Sequence, residues 1–305
     1  MARLFAVAAW LVVAASLGSA AASSQEIEPR AYANAPVGLN FLVTGYTFVG
    51  GGIATDPAAP IENAELEVHG PVLAYARSLG VAGKSAKIDV VVPYGFLSGT
   101  ADVAGQPLER EVSGLWDPKV RFTLNFFGAP ALPPSEFARY RQNWILGASV
   151  QVGGPLGQYD NVRLVNLGNN RWSFRPEIGV SKSLGPWIVE VATGATLYTD
   201  NDAYFPDQTR EQDPVYSVQS HLIYSFPSRI WLALDGTYYW GGLATVDGVP
   251  SSDALSSSRL GLTLSVPLGR QTSLKLSAHS GVSVRTGSDF DVVGVLWQYR
   301  WGSKP

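Results

Sequence analysis

Apolar and polar residues alternate along most of this chain, most cleanly toward its C-terminus. In residues 290–301, Val293, Val295, Trp297, Tyr299 and Trp301 share one face of an extended segment; Val292, Gly294, Gln298 and Arg300 share the other. A period of two marks a β-strand with two different faces. The same reading sets Leu274, Leu276 and Ala278 against Lys275, Ser277, His279 and Arg285, and Leu260, Leu262 and Leu264 against Gly261 and Thr263. Upstream, Leu232, Leu234 and Tyr238 oppose Ala233, Asp235 and Thr237, while Leu222 and Tyr224 oppose Gln219 and His221. Val189 and Val191 oppose Glu190, and Phe174 and Ile178 oppose Arg171, Arg175 and Glu177. Val150 opposes Gln151, Phe122 and Leu124 oppose Lys119 and Arg121, and Ile88 and Val90 oppose Lys87 and Asp89. With weaker segments near 67–79 and 38–49, this predicts about twelve strands, the even number expected of a single-chain bacterial barrel.

The connections support the same architecture. Links near 50–65, 98–116, 153–170, 199–214 and 241–256 are long and rich in Gly, Pro, Asp and Asn. They alternate with tight links at 79–84, 184–186, 227–228 and 269–272. Outer-membrane barrels alternate long external loops with short periplasmic turns in this way. Two links depart from the pattern: 128–141 is long where a short one is expected, and 286–289 is short where a long one is expected. Tryptophans fall near strand ends, as interfacial aromatic belts require. Trp144, Trp187, Trp231 and Trp301 map to the periplasmic rim, and Trp116, Trp172 and Trp240 to the external rim. Trp231 has the wrong parity to face lipid in this register.

Composition narrows the field. Charged residues make up 15 % and aromatics 11 %, with nine tryptophans. A soluble protein of this size needs more charge, near 25 % in typical cases. There is no cysteine, so disulfides and thiolate chemistry are excluded. A formal net charge of −3 argues against nucleic acid as a partner. Residues 1–24 read as a secretion signal: Arg3, then the apolar run Leu4–Leu17, then small residues through Ser24. The apolar run is too short to serve comfortably as a membrane anchor. The expected organisation is a signal peptide over 1–24, an N-terminal periplasmic or plug segment over 25–37, and an all-β, antiparallel up-and-down transmembrane barrel over 38–305. The final Trp297-x-Tyr299-x-Trp301 strand resembles the C-terminal signal read by the outer-membrane insertion machinery, although four residues follow its last aromatic.

Several ordered motifs also carry a family resemblance. They are Gly83-Lys-Ser-Ala-Lys-Ile-Asp89 with Pro93-Tyr94, Gly114-Leu-Trp-Asp-Pro118, Leu167-Gly-Asn-Asn-Arg-Trp172, Tyr198-Thr-Asp-Asn201, Tyr239-Trp-Gly-Gly242 and Gln298-Tyr-Arg-Trp301. Together they resemble the MetA-pathway of phenol degradation family of outer-membrane proteins. The resemblance implies a barrel in the bacterial outer membrane and uptake of aromatic or other hydrophobic compounds.

The face opposite lipid would carry Lys87, Asp89, Lys119, Arg121, Arg171, Arg175, Glu177, Glu190, Asp235, Lys275, Arg285 and Arg300. Charges there suit a water-lined lumen and set its selectivity, or pair with one another in a plugged barrel. The stretch 25–36 or an inward loop is expected to narrow the lumen. A barrel enzyme acting on lipids is the main rival, because His221 and His279 read inward beside serines. No nucleophile motif accompanies them. A non-conducting structural surface barrel is the third class. The acids of the 199–214 link match no calcium-loop spacing and read as solvated, so no metal or cofactor is implied. The expected partners are outer-membrane lipid, the insertion machinery and small-molecule solutes.

Overall fold

The computed structural model describes residues 27–54, 61–103, 106–163, 165–204 and 207–302, without the side chains of 53–54, 61–62, 103 and 285–288. The secretion-signal reading of 1–24 therefore lies outside the described residues, as does the side chain of Arg285. Twelve strands close into an antiparallel barrel, each hydrogen-bonded to its neighbours in sequence. Its wall runs through β1 (Asn40–Ala54), β2 (Ile61–Val81), β3 (Lys84–Val103), β4 (Gln106–Leu115) with β5 (Lys119–Phe127), β6 (Trp144–Gly153), β7 (Ser173–Leu184) and β8 (Trp187–Tyr198). Next come β9 (Asn201–Tyr204) and β10 (Gln208–Gln212), which lie outside the wall. The wall resumes with β11 (Val215–Ser225) and β12 (Trp231–Gly241), and β13 (Ala244–Val246) and β14 (Val249–Pro250) again lie outside it. It ends with β15 (Leu255–Pro267) and β16 (Thr272–Trp301). β4 and β5 both pair with β3 and form one interrupted wall strand. β16 counts twice: its first half pairs with β15 and its second half with β1, closing the ring.

The predicted faces explain why the chain adopts this form. Leu234 is 51 % exposed while the next residue, Asp235, is 0 % exposed. Apolar side chains point outward and charged ones inward, the reverse of a water-soluble protein. Val189, Leu222, Leu234 and Leu262 stand in one cross-strand row on the outer face. Near the ends of the strands, outward aromatics cluster: Trp187 against Tyr224 at 4.7 Å, and Trp297, Tyr299 and Trp301 in a stack. An outer face of this kind needs hydrocarbon around it. Leu234→Arg is accordingly expected to cost about 2–4 kcal/mol, the penalty for a cation near the bilayer midplane. Urea titration of the protein folded into phosphatidylcholine vesicles would measure it, and an unchanged midpoint would contradict the placement.

One end of the barrel carries tight turns. Ala82 and Gly83 both have positive φ (48° and 74°) between the paired residues Val81 and Lys84. This is the mirror-image two-residue turn that matches strand twist. Gly185 (φ 63°) followed by Pro186 joins β7 to β8 at the same end. The long link 128–143 lies here too and contains a one-turn helix, α1 (Pro134–Phe137). It folds across the end of the barrel. Ser85 N–H donates to Ala129 O, Ala131 N–H to Gly83 O, and Val37 N–H to Leu132 O. The exception in the link pattern thus clasps the N-terminal segment where it meets the wall.

The opposite, loop end departs from expectation in two ways. The links read as 50–65 and 98–116 are largely strand: β1, β2, β3 and β4 run on as two projecting hairpins. β2 alone has 21 residues, about 70 Å at roughly 3.3 Å each, far beyond the 9–11 residues a crossing needs. In the second departure, the links 199–214 and 241–256 build a four-stranded sheet, β14-β13-β10-β9. It turns at Asp247-Gly248, both with positive φ.

Candidate functional site

Inward-facing residues follow from strand parity. Lys87 and Asp89 on β3, Lys119 and Arg121 on β5, Arg175 and Glu177 on β7, Glu190 on β8, Asp235 on β12, and Lys275 and Arg300 on β16 all occupy inner-face positions. Arg171 differs. It precedes β7 and lies under the loop-end sheet, 4.2 Å from the Tyr198 ring and hydrogen-bonded to Gln212. Burial, with Arg210 nearby, pulls its guanidinium down to about 9. Burial likewise pushes the Tyr204 phenol up to about 12. Arg171 belongs to the closure of this end rather than to the lumen. The acids of the 199–214 link do not gather into a metal site among the described residues. Asn201 in that link is buried and donates to Asn169 O at 3.2 Å.

The N-terminal segment enters the barrel. Tyr32 is buried against the inner wall where small residues stand in a row: Gly147 on β6 pairs with Gly179 on β7, which pairs with Ala192 on β8. A Cβ at either glycine would overlap the Tyr32 ring. The recess is therefore shaped for this side chain. Polar anchors hold it: Tyr32 O–H donates to Glu177 (2.9 Å), Asn125 donates to Tyr32 O (3.1 Å), and Arg30 N–H donates to Glu190 (2.7 Å). The Arg30 guanidinium lies 5.5 Å over Trp231. Trp231 thus points into the barrel and is no part of the lipid-facing belt, which explains its parity. Ahead of Arg30, Glu28 pairs with Arg121, which also meets Asp89 at 3.4 Å; Lys87 reaches Asp89 at 3.5 Å.

Beside this segment the lumen remains open. A cavity of about 760 Å³ extends from Gly269–Thr272 at the short-turn end to Trp116 and Asp117 at the loop end. Its wall mixes apolar residues (Phe41, Val43, Val91, Val292 and Leu296) with Lys87, Arg121, Lys275 and Arg300. At the loop end it meets an apolar cluster in which Leu167, from the inward-folded loop after β6, packs with Leu66, Val68, Leu97 and Phe290. Asp117, at the break between β4 and β5, holds that loop. It accepts Gly157 N–H (2.9 Å) and both the backbone and side-chain N–H of Asn169 (2.8 and 3.1 Å). The Gly114–Pro118 and Leu167–Trp172 motifs are therefore parts of one latch.

On the far wall, Asp235 is wholly buried and gathers three partners. His221 Nδ1 lies 2.7 Å from one carboxylate oxygen; Thr263 O–H donates to the other at 2.6 Å, and His279 Nε2 lies 3.4 Å from it. Gly261 opposite His279 leaves room for the imidazole. The hydroxyl of this cluster bonds to the carboxylate and not to an imidazole, so it does not form the nucleophile–base contact of a hydrolase.

Sequence reading missed Glu28, Arg30, Tyr32, Leu167 and Arg259, the last a buried residue on the cavity wall. The stretch 25–36 was expected to narrow the lumen, but its contact residues emerge only once the register aligns the inward glycines 147 and 179.

The profile of the family described as "Putative MetA-pathway of phenol degradation" matches residues 50–297. An outer membrane channel from Pseudomonas putida F1 shares the fold, with a TM-score of 0.76, 22 % identity, and coverage of 90 % of this chain and 100 % of that one. The β domain of the Bordetella autotransporter BrkA is similar at TM-score 0.50, 13 % identity, and 87 % and 99 % coverage. No curated protein matches the sequence.

Proposed function

Because the chain belongs to the family described as "Putative MetA-pathway of phenol degradation", we propose that it is an outer-membrane channel passing small molecules with an apolar body. The observation that carries this reading is the cavity of about 760 Å³ inside the barrel, beside the N-terminal segment. Its size suits a small solute. Its apolar stretches favour a hydrocarbon or aromatic body, and its cations give it a preference among charged solutes. At the loop end the buried Leu167 cluster closes over the cavity, so passage from outside requires the loop latched by Asp117 to yield. The orientation follows from the short turns, which face the periplasm in such barrels. The outward aromatics anchor the barrel in outer-membrane lipid, and the closing Trp301 strand is the part offered to the insertion machinery.

The mixed wall supports passage better than hydrolysis. Solute flux tests the reading: purified protein in planar bilayers should give small, resolvable conductance steps, and proteoliposomes should admit small aromatic solutes. Folded protein giving neither steps nor solute flux would end the proposal.

A further inference from the structure

Among the described residues, Glu28 is the one acid that the N-terminal segment brings to the cationic part of the cavity wall. It pairs with Arg121, and Lys87 and Lys275 also act on it electrostatically. About a third of its side chain remains exposed, toward the cavity. Lys87, Arg121 and Lys275 come from β3, β5 and β16, so they converge only when the barrel closes. The wall's own acid in this group is Asp89, which meets Lys87 and Arg121. Without Glu28, three cations would face one carboxylate beside the apolar patch of Phe41, Val43, Val91, Val292 and Leu296.

We propose that the Glu28 carboxylate occupies the subsite of a solute carboxylate, so that the preferred solute is a small organic monoanion with an apolar ring or chain, and its binding releases the N-terminal segment. The inference rests on the channel reading above and names its substrate class. The physical basis is competition. Arg121 gives its Nε to Asp89 and its Nη2 to Glu28, so a solute carboxylate that takes the Nη2 position must displace Glu28 from it. The solute gains from its apolar body, which fills the cavity and which Glu28 lacks. A free carboxylate of this kind thus binds where the segment was held and opens the lumen that Tyr32 narrows. A solute with equal affinity for the plugged and unplugged states would shift nothing; mutual exclusion supplies the difference.

Benzoate is the probe, with benzyl alcohol (ring without charge) and acetate (charge without ring) as comparisons. Calorimetric titration of the full mature protein in detergent reads binding independently of conduction. Benzoate should bind measurably and the other two far more weakly. Glu28→Gln should tighten benzoate several-fold by removing the competitor. Lys275→Gln should weaken it several-fold, with Lys275→Arg restoring it. Heat-modifiable gel mobility checks folding of each variant. In planar bilayers, benzoate should raise wild-type conductance, and Glu28→Gln should conduct more at the start and respond less. Equal binding of benzoate and benzyl alcohol, or unchanged affinity in Glu28→Gln, would overturn the inference. These outcomes are separable from failure of the channel reading: absence of conductance under every condition sinks that reading, while conduction without benzoate selectivity sinks only this one.

Discussion

Removing residues 27–36 should raise single-channel conductance several-fold and leave the barrel folded. The segment supplies no wall strand, and all twelve strands keep their neighbours without it. It does occupy the lumen beside β5 to β8, where Glu28 meets Arg121, Tyr32 meets Glu177 and Arg30 meets Glu190. Its loss leaves Glu177 and Glu190 facing water instead of the segment, a change a hydrated lumen tolerates. A point substitution gives a stricter form of the experiment. Gly179→Leu places a side chain where the Tyr32 ring lies, so it should expel the segment while the chain stays at full length. Planar-bilayer recordings compare both with wild type. If neither exceeds wild-type conductance, the segment is not what limits flow.

Asp235→Ala is expected to cost about 3–5 kcal/mol of barrel stability, the range for removing one member of a buried charged group. The carboxylate is 0 % exposed and serves His221, Thr263 and His279 together. Its removal strands two imidazoles and a hydroxyl between strands β11, β12, β15 and β16. Asp235→Asn keeps an acceptor in place and should cost less, about 1–3 kcal/mol, because one polar contact is lost rather than the group. Urea unfolding of the protein in vesicles, followed by tryptophan fluorescence, measures both. A midpoint in Asp235→Ala equal to wild type would show that the cluster is incidental to the fold.

The wall was legible in the sequence because a barrel asks only local questions of its strands. Parity along β12 separates Leu234 from Asp235, which are 51 % and 0 % exposed. Closing residues such as Trp301 found their place by the same rule. What the pattern could not show depends on contacts across the lumen. Tyr32 carries no period and lies more than a hundred residues from Gly147 and Gly179, so its recess exists only after closure. Glu28 meets Lys87, Arg121 and Lys275 for the same reason. Trp231 was assigned a rim by its position in the strand, although its parity already pointed inward; parity deserved the greater weight. The loop-end sheet was a different kind of miss. Val246-Asp-Gly-Val249 is a short hairpin signal, but two- and three-residue strands inside a long polar link carry too little alternation to stand out.

The ring closes between Asn40 and Trp301, residues separated by 261 positions. Contacts of such separation carry the largest chain-closure cost and form late. The N-terminal segment ends at Leu39, directly before the first residue of that seam. At the short-turn rim the link 128–143 pairs with the start of β3 and accepts the Val37 N–H at Leu132 O. The segment is thus tied to the rim at both Val37 and Leu39, whose N–H groups donate to Leu132 O and the Ser78 hydroxyl, while the residues ahead of them reach β6 to β8. An occupant displaced from the lumen therefore stays tethered beside the opening, so its return is an intramolecular event at high effective concentration.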